Sequence, residues 1–192
     1  MPDRLYLSCG LSERNDRNLL LQFGKLLQLF PFSKLSKSPP ALRMYAVEHA
    51  EPPLIELEFP LAAEPSAVLE SVRELMHDDC ACEVEASWDL WQYDGQWKIL
   101  PAPVTLNCFG PLFDNDQNDD LRVDFGPDGP FLPLANLESG LRMVQSNIRS
   151  LLHLVSDIER GVDLQRRQLW SESGENFAEL LAQSLGTPGR LV

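Results

Sequence analysis

Apolar and polar residues alternate along residues 4–10 (RLYLSCG), placing Leu5, Leu7 and Cys9 on one face; a period of two predicts a strand. The period then lengthens. Leu19, Leu20, Phe23, Leu26, Leu27 and Phe30 form the stripe of an amphipathic helix, with Ser12 as its expected cap and Pro31 as its stop. After the loop SKLSKSPP come two strand patterns, 42–48 (LRMYAVE) and 54–59 (LIELEF). In the second, Ile55, Leu57 and Phe59 share a face. Pro65 and Ser66 open another helix, with Val68, Leu69, Val72, Leu75 and Met76 inward. A long strand follows over 80–93. Cys82, Val84, Ala86, Trp88 and Leu90 face one way, and Glu83, Glu85, Ser87 and Asp89 the other.

This β-α-β-β-α-β order predicts an α+β fold with a ferredoxin-like unit over residues 1–93. The first strand should then lie between the third and fourth, with both helices on one face and Cys9 beside Cys82. Asp94-Gly95 is a strong hairpin signal. Strand patterns at 97–100, 104–109 and 121–125 extend the sheet with further antiparallel strands. The expected sheet domain covers 1–133, and residues 134–192 form a helical C-terminal segment.

That segment holds the cleanest periodicity in the chain. From a start near Asn136, Leu141, Ile148, Val155 and Val162 fall at heptad a positions, and Leu137, Val144, Leu151 and Ile158 at d. β-Branched residues at a suit a two-stranded seam, so a homodimer through the helix 136–162 is one expectation. Leu152 and Leu154 widen the stripe, Gly140 and Gly161 interrupt it, and complementary flanking charges are missing. Those features suit a helix packed within its own chain. A short last helix is expected from Ser173 or Gly174, carrying Phe177, Leu180, Leu181 and Leu185 inward.

Composition narrows the function classes. With 44% hydrophobic residues in 192, the chain can build a sizeable core. Its 16 Lys and Arg stand against 29 Asp and Glu, for a net charge of −13, a field that repels nucleic-acid phosphates and suits basic partners. The opening stretch has no apolar signal-peptide core, and no apolar run approaches the ~20 residues that span a bilayer. Four cysteines (Cys9, Cys80, Cys82, Cys108) without secretory context read as free thiols in a reducing cytoplasm.

Residues 113–126, FDNDQNDDLRVDFG, come closest to a chemical signature. Asp114, Asp116 and Asn118 occupy positions 1, 3 and 5 of a calcium loop, the one candidate cation loop in the chain. Asp119 then stands where glycine should make the turn, and Phe125 where glutamate should close it; a polar inter-strand loop is the simpler reading. Asp124-Phe125-Gly126 matches a kinase tripeptide without any of the accompanying motifs. His77, Cys80 and Cys82 with Cys108 or Cys9 lack the paired spacing of zinc ligands, and Cys82 falls on the apolar parity. The outward residues Tyr6, Ser8, Glu56, Glu58, Glu83 and Glu85 offer one aromatic among four carboxylates, the wrong chemistry for stacking RNA. No GxSxG, HExxH or phosphate loop occurs, and His49, His77 and His153 are scattered. No cofactor is implied and catalytic residues are unknown.

Three of the four tryptophans crowd one hairpin, at Trp88, Trp91 and Trp97. Trp88 has core parity. Trp91 and Tyr93 share the other face, either as a protein-binding anchor or as cross-strand partners within the hairpin. The expected function is a non-enzymatic interaction or assembly module with a protein partner, acting through Trp91 and Tyr93, the acidic surface, or Leu141, Ile148 and Val155. The alternative is an enzyme or small-ligand sensor with a pocket where the sheet meets the C-terminal helices.

Overall fold

The computed structural model describes residues 3–132, 140–172 and 181. Among these, the strands are β1 (Arg4–Leu11), β2 (Ala41–Ala46), β3 (Ile55–Glu58), β4 (Cys80–Tyr93), β5 (Trp97–Phe109), β6 (Leu121–Pro127) and β7 (Leu164–Ser171). The amphipathic segments form α1 (Asp16–Leu29), α2 (Pro65–Leu75) and α3 (Leu141–Gly161). All strands join one antiparallel sheet in the order β3-β2-β4-β5-β6-β1-β7. No helix among the described residues is long and apolar enough to cross a membrane.

The α+β class stands, but β1 lies between β6 and β7, away from the third and fourth strands. The cause is β5. Residues 97–100 and 104–109, expected as two strands, form one continuous strand that pairs with β4 from Ala81↔Phe109 to Tyr93↔Trp97. It occupies the β4 edge that a ferredoxin-like order reserves for β1. Pro101 and Pro103 fit because β6 pairs only with Thr105–Cys108, leaving β5 with a single neighbour at the prolines. Cys82 consequently faces Cys108, while Leu121 separates Cys108 from Cys9. All four cysteines are free and buried.

The register builds the core. Leu169, Leu7, Val123, Leu106, Val84, Leu42 and Leu57 pair in succession, one from each strand, as an apolar row straight across the sheet. The helices cover this face. Glycines let them close: a Cβ at Gly24 would meet the Leu69 side chain at 2.6 Å, and one at Gly161 would meet Leu29 at 2.7 Å. Helix α1 is capped by Asn15, whose side-chain oxygen accepts from the Asn18 N–H at 2.9 Å. Ser12, the expected cap, instead donates to Asp163 at 2.9 Å.

Beyond Ala41↔Glu85, β2 no longer covers β4, and other groups close that edge. The Ser33 N–H donates to the Ser87 carbonyl at 2.7 Å. Asn147 on α3 acts as a substitute strand: it accepts from the Trp91 N–H at 2.9 Å and donates to the Trp91 carbonyl at 2.8 Å. Trp88 lies inside, as its parity requires, with its ring centroid 5.9 Å from Phe30 and 5.8 Å from Phe125.

The heptad stripe turns inward. Ile148 and Val155 are buried with Val144, Leu151 and Ile158 in the chain's own core, and Leu141 is half-buried. The seam expected for a dimer is thus used in cis, because the sheet row supplies an apolar face of the same width. Leu137 lies outside the described residues, as does the expected last helix except for Leu181, which is buried in the main core. Strand β7 was not expected; its polar run LQRRQLWS lacks clean alternation.

Ile148→Asp should therefore abolish cooperative unfolding, since its side chain is 0% exposed and a carboxylate there has no partner. Ile148→Ala should cost about 2–5 kcal/mol in urea denaturation. A folded, soluble Ile148→Asp monomer would contradict the inward stripe.

Candidate functional site

One residue away from the apolar row runs a polar one. Gln168, Ser8, Arg122, Asn107, Glu83, Arg43 and Glu56 pair in succession on the face without helices. At its β3 end Arg43 serves three carboxylates, Glu56 at 2.9 Å, Glu83 at 3.7 Å and a close contact with Glu85. Burial opposes the Arg43 charge, but the bonds to Glu56 and Glu85 keep its pKa raised. Glu83 is held above the usual carboxylate range, first by burial and then by Glu85, with Arg43 offsetting only part. Glu58, on the same face by register, makes no ion pair among the described residues. One guanidinium therefore stands among four carboxylates.

At the other end of the sheet, Tyr6 and Trp170 stack with centroids 4.6 Å apart, and Trp170 donates to Ser8 at 2.9 Å. Burial and a hydrogen bond to Glu172 push the Tyr6 pKa up to about 12. Trp170 is an aromatic of this face that sequence reading missed, because β7 itself was missed.

The aspartate loop is a clasp between strands. The Asp119 side chain is 0% exposed and accepts from Ser8 at 2.7 Å, Arg122 at 2.8 Å and Arg166 at 3.0 Å. Asp120 accepts from the Leu11 N–H at 2.7 Å and pairs with Arg14 at 2.8 Å. Asn118 adopts a positive φ of 51°, and its carbonyl accepts from Arg14 at 3.0 Å and Arg166 at 3.1 Å. Of the candidate calcium ligands only Asn118 is held by guanidinium groups, with Arg14 also reaching its Oδ1 at 3.1 Å. Asp114 and Asp116 point to solvent. Among the described residues no group of three or more His, Cys, Asp or Glu is placed to hold a metal ion.

On the hairpin, Tyr93 packs against Trp97 with centroids 5.5 Å apart, and Trp91 faces Ile99. Cross-strand pairing thus accounts for part of the aromatic cluster, while Tyr93 and Ile99 remain exposed. His49, which sequence reading left without a role, sits against Tyr45, Phe113 and Phe109 at 4.7, 4.9 and 5.9 Å. Burial and then Arg122 lower its pKa.

The two sheet edges differ. On β7, Arg167 turns toward the helix face and pairs with Glu159 on α3 at 2.8 Å, a charged guard that discourages strand pairing. Among the described residues strand β3 has no such guard. Ile55 and Leu57 share the helix face yet are 36% and 37% exposed, and the flanking Leu54 and Leu61 are 66% and 60% exposed. The Phe59 N–H donates to Pro40 at 2.9 Å, which sets the phase of the ladder. Residues 55 and 57 then bond inward to β2, and the backbone N–H and C=O of Glu56 and Glu58 point outward. The alternation of LIELEF was legible in the sequence; its exposed edge was not.

Beyond the downstream end of β3 lies a cavity of about 90 Å³ between α1, α2, β4 and residues 32–40, with Leu27, Phe32, Leu61, Val68, Val84 and Ala86 in its wall. A wider cleft of about 490 Å³ beside Gly10, Arg14 and Arg166 has its charged groups already paired. Comparison with family models, with curated proteins and with solved structures gave no match.

Asp119→Ala should cost about 3–5 kcal/mol of stability, because Arg122 and Arg166 lose their shared partner. Glu83→Gln should behave oppositely. A carboxyl with a raised folded-state pKa supports the fold only while protonated, and that support is lost as pH rises through the folded pKa. The variant should melt higher than wild type at pH 7, and the difference should close as pH falls into the carboxylate range.

Proposed function

We propose that this chain is a non-enzymatic interaction module that captures an extended protein segment along the outer edge of β3. The observation that carries the reading is the unguarded edge: outward backbone groups at Glu56 and Glu58, exposed Ile55 and Leu57 on one face, and surplus carboxylates on the other. An added strand gains main-chain hydrogen bonds from such an edge and specificity from alternate side chains.

Charge selects the occupant. A partner strand must place apolar residues beside Ile55 and Leu57 and basic ones beside Glu56 and Glu58, so it alternates the two. A second copy of β3 suits the edge poorly. Antiparallel self-pairing that keeps the faces matched sets Glu56 or Glu58 opposite another glutamate, and like charges directly opposite are destabilising. The chain's net charge of −13 adds to that repulsion. The four free thiols fit a reducing cytoplasm as the place of action.

The cavity supports a binder over an enzyme or sensor. Pockets for drug-sized ligands run to about 300–1,000 Å³. The apolar cavity here, about 90 Å³, is too small for one, and the 490 Å³ cleft beside Gly10 has its charged groups already paired.

A ten-residue peptide alternating valine and lysine should bind the full chain and weaken with added salt, whereas its valine–glutamate counterpart should not bind. Glu58→Pro removes an outward N–H without breaking the inner ladder. It should reduce valine–lysine peptide affinity at least tenfold while leaving the melting temperature within a few degrees of wild type. Unchanged affinity in this variant, or open-ended self-assembly of the wild type in sedimentation, would count against strand capture at β3.

A further inference from the structure

We infer that the 90 Å³ cavity past the end of β3 is an anchor site for one branched aliphatic side chain, leucine-sized, of the captured segment. The inference rests on the strand-capture reading for the source of that side chain, and on the cavity alone for its chemistry.

The wall comes from three layers. Leu27 of α1 and Val68 of α2 form one side, and Val84 and Ala86, on the helix face of β4, form the floor. Phe32 also lines the cavity. Leu61 stands at the outer side, three residues beyond Glu58, the last residue of β3. The Phe59 N–H to Pro40 bond ties the end of β3 to this wall, so a strand paired along residues 55–58 leads directly to the mouth.

The strap at the mouth is built, not loose. Ser33 donates to Asp89 at 2.5 Å and accepts from the Leu35 and Ser36 N–H groups at 3.1 and 2.8 Å, while the Lys34 N–H reaches Asp89 at 2.9 Å. These bonds hold Ser33, Ser36 and Ser38 along the rim. The hydroxyl of Ser38, in the lining, makes no hydrogen bond within the described residues and can meet the captured backbone. Lys34 and Lys37 are exposed on the same strap and repel a basic residue at this point. The carboxylates of β3 lie on the opposite face. The mouth therefore selects an apolar residue where the β3 edge selects basic alternates.

Size sets the occupant. An engineered dry cavity of about 150 Å³ admits benzene. At about 90 Å³ this site takes an isobutyl group and excludes an indole.

Two measurements test this. In the wild-type chain with carbon-13 methyl labels, isobutanol should shift the Leu27, Val68 and Val84 methyl signals saturably and leave those of Leu151 and Val155 on α3 in place. Ala86→Leu, or Ala63→Leu from the mouth side, should abolish the shifts, with the melting temperature reporting that each variant folds. In the second measurement, two valine–lysine peptides are compared, one with leucine and one with alanine just beyond the alternating stretch. The leucine peptide should bind about tenfold tighter, and Ala86→Leu should remove the difference. Absence of saturable shifts at the lining methyls overturns the inference even if both peptides bind. Equal affinity of the two peptides for wild type overturns it as well. Saturable shifts without any peptide binding leave the cavity an aliphatic site and overturn strand capture instead.

Discussion

The pairing of β4 with β5 is the contact on which the rest of the sheet depends. It runs unbroken from Ala81↔Phe109 to Tyr93↔Trp97, and it sets the register in which Val84 faces Leu106 and Glu83 faces Asn107. A slip by one residue would send every side chain of a strand to the opposite face. The apolar row from Leu169 to Leu57 and the polar row from Gln168 to Glu56 are therefore one constraint seen from two sides. The same pairing removes β4 as a neighbour for β1, which goes to β6 and in turn receives β7. Helix α3 completes the arrangement, with Asn147 closing the β4 edge and Ile148 turning into the core.

Charge is distributed to match this order. Around Asp119 and Asp120, four strands and a loop meet, and arginines from outside the loop satisfy the carboxylates. The carboxylates of that cluster are fully paired. At the other end of the sheet Arg43 is outnumbered, and the burial and repulsion felt by Glu83 leave the β3 region with an appetite for positive charge. The contrast between a satisfied acidic cluster and an unsatisfied one directs attention to β3 over the more conspicuous aspartate loop.

Much of the local structure was legible from periodicity. The strand over 80–93, the helix opened by Pro65, the inward parity of Cys82, Val84 and Trp88, and the stripe on α3 all follow from one-dimensional spacing. Errors arose where spacing under-determines the outcome. Pro101 and Pro103 looked like a break because their tolerance depends on a missing neighbour strand. Strand β7 went unseen because Arg166 and Arg167 are bound to Asp119 and Glu159, groups far away in the chain. Of the residues singled out beforehand, Asp114 and Asp116 face solvent, Ile148 and Val155 are core, and only Tyr93 keeps an exposed aromatic ring.

The amino-acid order by itself determined which residues of each segment could face a core, because side-chain direction follows a local backbone period of 2.0 or 3.6. It determined the acidic surface and the near-calcium spacing of Asp114, Asp116 and Asn118 as well. Only the tertiary structure decided which strand edges found partners. Edge pairing is a competition among all strands for a limited set of backbone hydrogen bonds, and no local period encodes who wins. For that reason LIELEF reads in the sequence only as an alternating strand with one apolar face, and becomes an exposed, acidic edge beside an apolar cavity once the other six strands have taken their places.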